Sequence, residues 1–125
     1  MTQSNPLTNP DAKTNLAQQH TVLVVDQSQI SLSFDCISVF LNNKHIIDSD
    51  EGETTAEEVA EEIAKALNVT TTVVTLSECE LAYSIAKQNS RLDEFDQDDT
   101  DSFDGWISGY SNENVLAAVK DAGKV

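Results

Sequence analysis

The stretch TTAEEVAEEIAKALNVTTTVVTL, residues 54 to 76, changes its period halfway along, and that change decides the fold class. In its first half Ala56, Val59, Ala60, Ile63 and Leu67 recur at spacings of three and four, which stacks them on one stripe of a helix. Glu57, Glu58, Glu61 and Glu62 fall away from that stripe and read as a solvated face, and the first of them favour the helix dipole. Thr54 with Glu57, or Thr55 with Glu58, fits a capping box at the start. Asn68 then ends the helix, and VTTTVVTL, β-branched at nearly every position, reads as a strand. A helix feeding a strand, with more strands upstream, predicts an α+β domain: a small mixed or antiparallel sheet packed by one or two amphipathic helices.

Upstream, TVLVVD at 21–26 has the length and branching of a buried strand, closed by the turn residues QSQ. From Ile30 the apolar residues alternate through Leu32, Phe34 and Cys36, then continue in the opposite phase through Ile37, Val39 and Leu41. A one-residue phase shift inside a long strand predicts a bulge or break at Cys36 and Ile37. Asn42 and Asn43 supply turn chemistry, and HIID follows as a short return strand. Residues 1–20 hold two prolines and many Asn, Gln, Thr and Ser, with Leu7 and Leu16 their only large apolar side chains, and read as an extended polar N-terminal arm. The remaining residues, 21–125, are expected to form a single domain.

Downstream the signals compete. Ser77 and Glu80 fit the cap of a helix running to Gln88, yet Cys79, Leu81, Tyr83 and Ile85 alternate as a strand would, and we read 78–88 as a hairpin strand turning at Ser77 and Glu78. DEFDQDDTDSFD, residues 93–104, reads as an acidic loop with Phe95 and Phe103 embedded in it. GWISGY follows as a short strand or turn, and Ser111 or Asn112 opens a last amphipathic helix through Val115, Leu116 and Val119 that ends near Gly123.

Twenty-two acidic residues against seven basic ones give a net charge of −15. The seven cations, Lys13, Lys44, Lys65, Lys87, Arg91, Lys120 and Lys124, are scattered, so direct nucleic-acid binding and attachment to an anionic membrane are both opposed. No apolar run approaches the roughly 20 residues that span a bilayer, and the first twenty residues lack the pattern of a signal peptide. Cys36 and Cys79, without a CxxC or a histidine pair, read as small core residues, with a long-range disulfide as the alternative. GxSxG, HExxH, Gly-rich phosphate loops and paired nucleophile motifs do not occur, and His20 and His45 read as ordinary surface or edge residues. The expectation is a non-enzymatic protein without a cofactor. DQDDTD offers oxygen ligands at alternating positions but lacks the glycine and the distant glutamate of an EF-hand, so it reads as a solvated acidic loop rather than a calcium site.

What is left is surface. Asp93, Glu94, Asp96, Asp98, Asp99, Asp101, Phe103, Asp104, Trp106 and Tyr110 form a candidate partner-binding segment, because aromatics beside charge are typical of binding hot spots. Packing of the one tryptophan is the competing reading.

Residues 30–76 also resemble a small β-α-β module of tail, sheath and other virion proteins of tailed bacteriophages. There a Gly-Asp-Thr-Ala-like loop starts an alanine-rich helix ending in Asn, and a threonine-rich strand follows. The matching residues are Gly52, Glu53, Thr54, Thr55, Ala56, Glu57, Ala60, Ile63, Leu67, Asn68, Val69 and Thr70. The resemblance implies a structural or assembly protein of a phage particle, working through contacts with other subunits in a homo- or hetero-oligomer, in the virion or the host cytoplasm. The alternative is a small acidic inhibitor that mimics nucleic acid toward a host nuclease, defence or repair enzyme. Residues 48–62 and 93–104 hold fifteen of the twenty-two carboxylates, and mimicry asks that the fold bring both blocks onto one face.

Overall fold

The computed structural model describes residues 20–33, 35–50 and 52–125. Apart from His20, the arm expected over residues 1–20 lies outside them, as do Phe34 and Glu51. The architecture is α+β, as the sequence predicts, with a mixed sheet of four strands. β1 (Val22–Asp26) runs antiparallel to β2 (Asp35–Leu41), and β2 antiparallel to β3 (Lys44–Asp50). Helix α1 (Thr55–Leu67) then carries the chain across the sheet to β4 (Thr71–Thr75), which pairs parallel with β1. The strand order is β3-β2-β1-β4, so the β3-α1-β4 crossover links one edge of the sheet to the other.

Alternation along β1 splits the core into two layers, because successive side chains leave a strand on opposite faces. Val22, Val24 and Val39 meet Ala56, Ala60 and Ala64 of α1. Leu23, Val25, Phe40 and Leu76 meet α2 (Glu78–Gln88), α3 (Phe103–Ile107) and α4 (Asn112–Asp121) on the other side. The alanine stripe of α1 fits this geometry: small side chains let the helix lie close on the sheet while its glutamates stay exposed.

Asn68 ends α1 in the left-handed conformation (φ 56°), and its N–H and that of Val69 close the last turn. The expected capping box at Thr54 or Thr55 does not form. Thr54 is the N-cap but caps no N–H, and its hydroxyl donates instead to Glu58 at 3.2 Å. Asn42 and Asn43 both take positive φ (50° and 68°), the geometry of a tight hairpin whose twist suits its strands, and the return strand runs seven residues rather than the four of HIID.

The structure corrects three further expectations. Residues 78–88 are helix, not a hairpin strand: Ser77 and Glu80 close a full capping box, and Leu81, Ala82, Ile85 and Ala86 are buried at helical spacing. The alternation of Cys79, Leu81, Tyr83 and Ile85 misled because Ala82 and Ala86 carry too little bulk to stand out, and Tyr83 is 42 % exposed. The strand expected from Ile30 begins only at Asp35, because Ser33 and Ile30 close turns onto Ile30 and Gln27. The register shift between Asp35 and Ile37 lies where the phase shift placed it. GWISGY, expected as strand or turn, is half helix: Gly105, Trp106 and Ile107 belong to α3, Ser108 and Gly109 make the expected turn, and Ser111 caps α4 as expected. Cys36 and Cys79 are both half-buried thiols and form no disulfide with each other. No helix among the described residues is long and apolar enough to cross a membrane.

Candidate functional site

The acidic segment is an ordered excursion rather than an open loop. Two short 3-10 turns, Leu92–Glu94 and Thr100–Ser102, fold it, and Asp96 accepts the N–H of Asp98 while the Ser102 hydroxyl donates to the Asp99 carbonyl. Phe95 pins it to the helices. Its ring stacks on Phe103 (5.9 Å, 13° between planes) and meets Tyr83 and Trp106 edge-on at 5.9 and 6.2 Å. Arg91 lies 4.7 Å over the Trp106 ring and gives Glu94 two bonds, at 2.8 and 3.1 Å. That fork holds the Glu94 carboxyl below its ordinary range and raises the guanidinium.

The ten candidate residues therefore divide into three groups. Asp93, Glu94, Asp96, Asp98, Asp99, Asp101 and Asp104 are exposed and form the outer surface of the excursion. Phe103 and Trp106 face inward, buried and half-buried, so the packing reading of the tryptophan describes it better than an exposed anchor. Tyr110 belongs to a different place, described below.

Four carboxylates of the second acidic block lie on the other layer. Glu57, Glu58, Glu61 and Glu62 ride on α1, against the sheet face opposite to the one that packs α2, α3 and α4. A single row of phosphate-like charge needs both blocks on one face, and the sheet stands between the excursion and the α1 glutamates, while Asp48 of the same block lies beside the turn before α4.

Sequence reading missed a polar relay that crosses the sheet. The Tyr110 hydroxyl donates to Gln27 Oε1 (2.9 Å), Gln27 Nε2 donates to Ser38 Oγ (2.6 Å), and Ser38 Oγ donates to Asp48 Oδ1 (2.6 Å), which also bonds His45 Nε2 at 2.8 Å. Gln27 and Ser38 are 2 % and 1 % exposed, and buried polar groups of this kind must be bonded. Nothing local joins these residues. Ser38 and Asp48 face each other across the β2 and β3 pair, Gln27 follows β1, and Tyr110 arrives from the turn before α4. The one available signal was Ser38 and Gln27 interrupting apolar runs. The relay lines a cleft of about 230 Å³ together with Leu32, Ser33, Ser111 and Asn112.

Other chemistry is sparse. Among the described residues no group of three or more His, Cys, Asp or Glu is arranged to hold a metal ion. Burial pushes the Cys79 thiol up, and Glu80 and Asp98 add to this, which disfavours the thiolate a nucleophile needs. His20 Nδ1 meets the Asn42 amide at 3.1 Å beside the start of β1. Compared with known proteins, the chain matches no family model, no curated protein and no solved structure.

Proposed function

We propose that the protein is a non-enzymatic structural or assembly component of a tailed-phage particle, acting through contacts with other protein subunits. The observation that carries this reading is the outer edge of β4. TTVVT holds no charge and no proline, Val73 is 66 % exposed, and the strand's second edge has no neighbour among the described residues. Monomeric proteins guard such an edge with lysine, proline or a bulge; here Lys124 covers the Thr75 carbonyl at the end of the strand, and the stretch from Thr71 to Val74 is left as a template for a strand from a neighbouring subunit. In a chain of charge −15 it is also a surface on which two acidic subunits meet without opposing carboxylates.

The test is sedimentation of the protein from its native source lysate, with mass spectrometry of what travels with it. Fast co-sedimentation with tail or capsid proteins, lost in a folded Val73→Lys variant, is the expected result. Slow migration with a nucleic-acid enzyme, released by salt, would replace this reading with phosphate mimicry by one of the two acidic faces.

A further inference from the structure

Leu76 gives its N–H to the Asp26 carbonyl, so the backbone groups of Thr72, Val74 and Leu76 turn toward β1, and those of Val69, Thr71, Val73 and Thr75 turn outward. Both ends of this outward row are closed within the chain. Val69 gives its N–H to the Ala64 carbonyl at 2.9 Å, and the Thr75 carbonyl accepts the Lys124 ammonium. Between them the outward groups of Thr71 and Val73 bond no described residue, and they suit a strand laid alongside.

A second copy of β4, running antiparallel, fits this row in one register. Centred on Thr72, it sets Thr71 opposite Val73 of the other copy, Thr72 opposite itself and Val69 opposite Thr75. The ladder bond missing from that last pair runs from the Val69 N–H to the Thr75 carbonyl, and each of those groups already has its partner. A centre at Val73 would make Thr71 compete with Lys124 for the Thr75 carbonyl. A centre at Thr71 would leave the Val73 carbonyl facing the spent N–H of Val69. The side chains agree with Thr72: threonine meets threonine across the axis, and Val73, 66 % exposed in one chain, is covered by Thr71 of the other. No charge lies on the strand. Helix α1 packs on Val22, Val24 and Val39, so it stands over β1 and β2 and leaves β4 clear. In the paired sheet the two α1 helices lie four strand spacings apart, about 19 Å, where helices in contact need about 10 Å. At physiological salt, with a screening length of about 8 Å, their glutamates repel each other weakly.

We infer that the occupant of the β4 edge is a second copy of this chain, joined about a twofold axis at Thr72 into one continuous sheet. The inference rests on the reading of β4 as the assembly surface and names its partner.

The test is sedimentation velocity of the purified full-length chain at concentrations up to about 1 mM, because so short a contact is weaker than a standard interface. An equilibrium between monomer and dimer is expected, tightened by added salt because both partners are acidic. Val73→Pro removes an outward N–H and no bond to β1, and is expected to weaken the dimer at least about tenfold with the circular dichroism unchanged. Thr72→Cys, in a chain whose Cys36 and Cys79 are replaced by alanine, is expected to form a disulfide-linked dimer in a glutathione redox buffer more readily than Val73→Cys, which faces Thr71. A monomer at every concentration, a dimer untouched in folded Val73→Pro, preferential linking at Val73, or a dimer loosened by salt would overturn the inference. A monomer that still co-sediments with tail or capsid proteins through β4 leaves the assembly reading standing with a different partner. An intact Thr72 dimer that travels with no such proteins in the lysate removes the assembly reading alone.

Discussion

Ser49 Oγ accepts the backbone N–H of Ala56 at 2.6 Å, so a residue of β3 caps a helix that its own N-cap, Thr54, leaves uncapped. Ser49 is 2 % exposed, and the bond ties the edge strand to the crossover helix. Ser49→Ala is expected to cost about 1–2 kcal/mol, since it orphans a buried N–H. Thr54→Ala, at an exposed hydroxyl, is expected to cost less than about 0.5 kcal/mol. Urea unfolding of the two variants reads the difference, and equal losses would mean that Ser49 does not act as the cap.

Phe95 touches three rings at once, and truncating it removes the pin that holds the acidic excursion on α2 and α3. Phe95→Ala is expected to lose about 2–3 kcal/mol, below the full cost of a buried Phe because the ring is half-buried. Amide exchange over residues 91–104 is expected to speed up while that of β1 keeps its pattern, and Trp106 emission is expected to shift red. A protected excursion in this variant would place the pin elsewhere.

Acid stability is expected to depend on Glu80 and Asp121. Burial pushes the Glu80 carboxyl up, but the N–H and hydroxyl of Ser77 and the Lys124 ammonium more than reverse this and leave it below its ordinary value of 4.5. The Ser84 hydroxyl, with Lys87, lowers Asp121 in the same way, although burial opposes it. A folded value below the unfolded one means that the contribution is complete above about pH 4.5 and is lost as pH falls through the folded values. Midpoints of urea unfolding between pH 6 and roughly pH 3 should therefore fall less steeply in a Glu80→Gln, Asp121→Asn double variant than in the parent. Parallel pH profiles would remove these two carboxylates from the acid transition.

Asp96, Asp98, Asp99 and Asp101 are exposed, and none of them forms an ion pair with a described residue. Changing all four to Asn keeps the turn acceptor at Asp96 and relieves repulsion, so stability is expected to change by less than about 1 kcal/mol while its dependence on salt shrinks. Melting temperature against salt concentration measures this. A large loss of stability would mean that these charges bind something in the folded protein.

The sequence was most legible where one residue type has one structural use. The alanine stripe of α1, Asn68 at its end, the β-branched β1 and β4, the double asparagine of the hairpin and Ser111 before α4 all carry their reason locally. It was least legible in 77–88, where Ser77 and Glu80 stated the helix correctly and an accidental alternation of larger side chains outweighed them. The parallel pairing of β1 with β4 and the relay from Tyr110 to Asp48 have no local signature, because each joins residues that only the finished sheet brings together. The candidate segment is contiguous in sequence but not in the structure, where Tyr110 works with Gln27 rather than with the aromatic cluster beside it.

Pairing Val22 with Thr71 obliges the chain to finish β2, β3 and α1 before β1 gains its second neighbour. The three-strand meander closes through short turns, whereas β4 returns across the entire crossover, and contacts that distant form slowly. During synthesis the most apolar strand of the protein therefore waits with one side open until the ribosome has released Thr75. In that interval foreign strands compete for the place that TTVVT will fill, so the rate at which α1 forms and delivers β4 sets how much newly made chain is lost to aggregation.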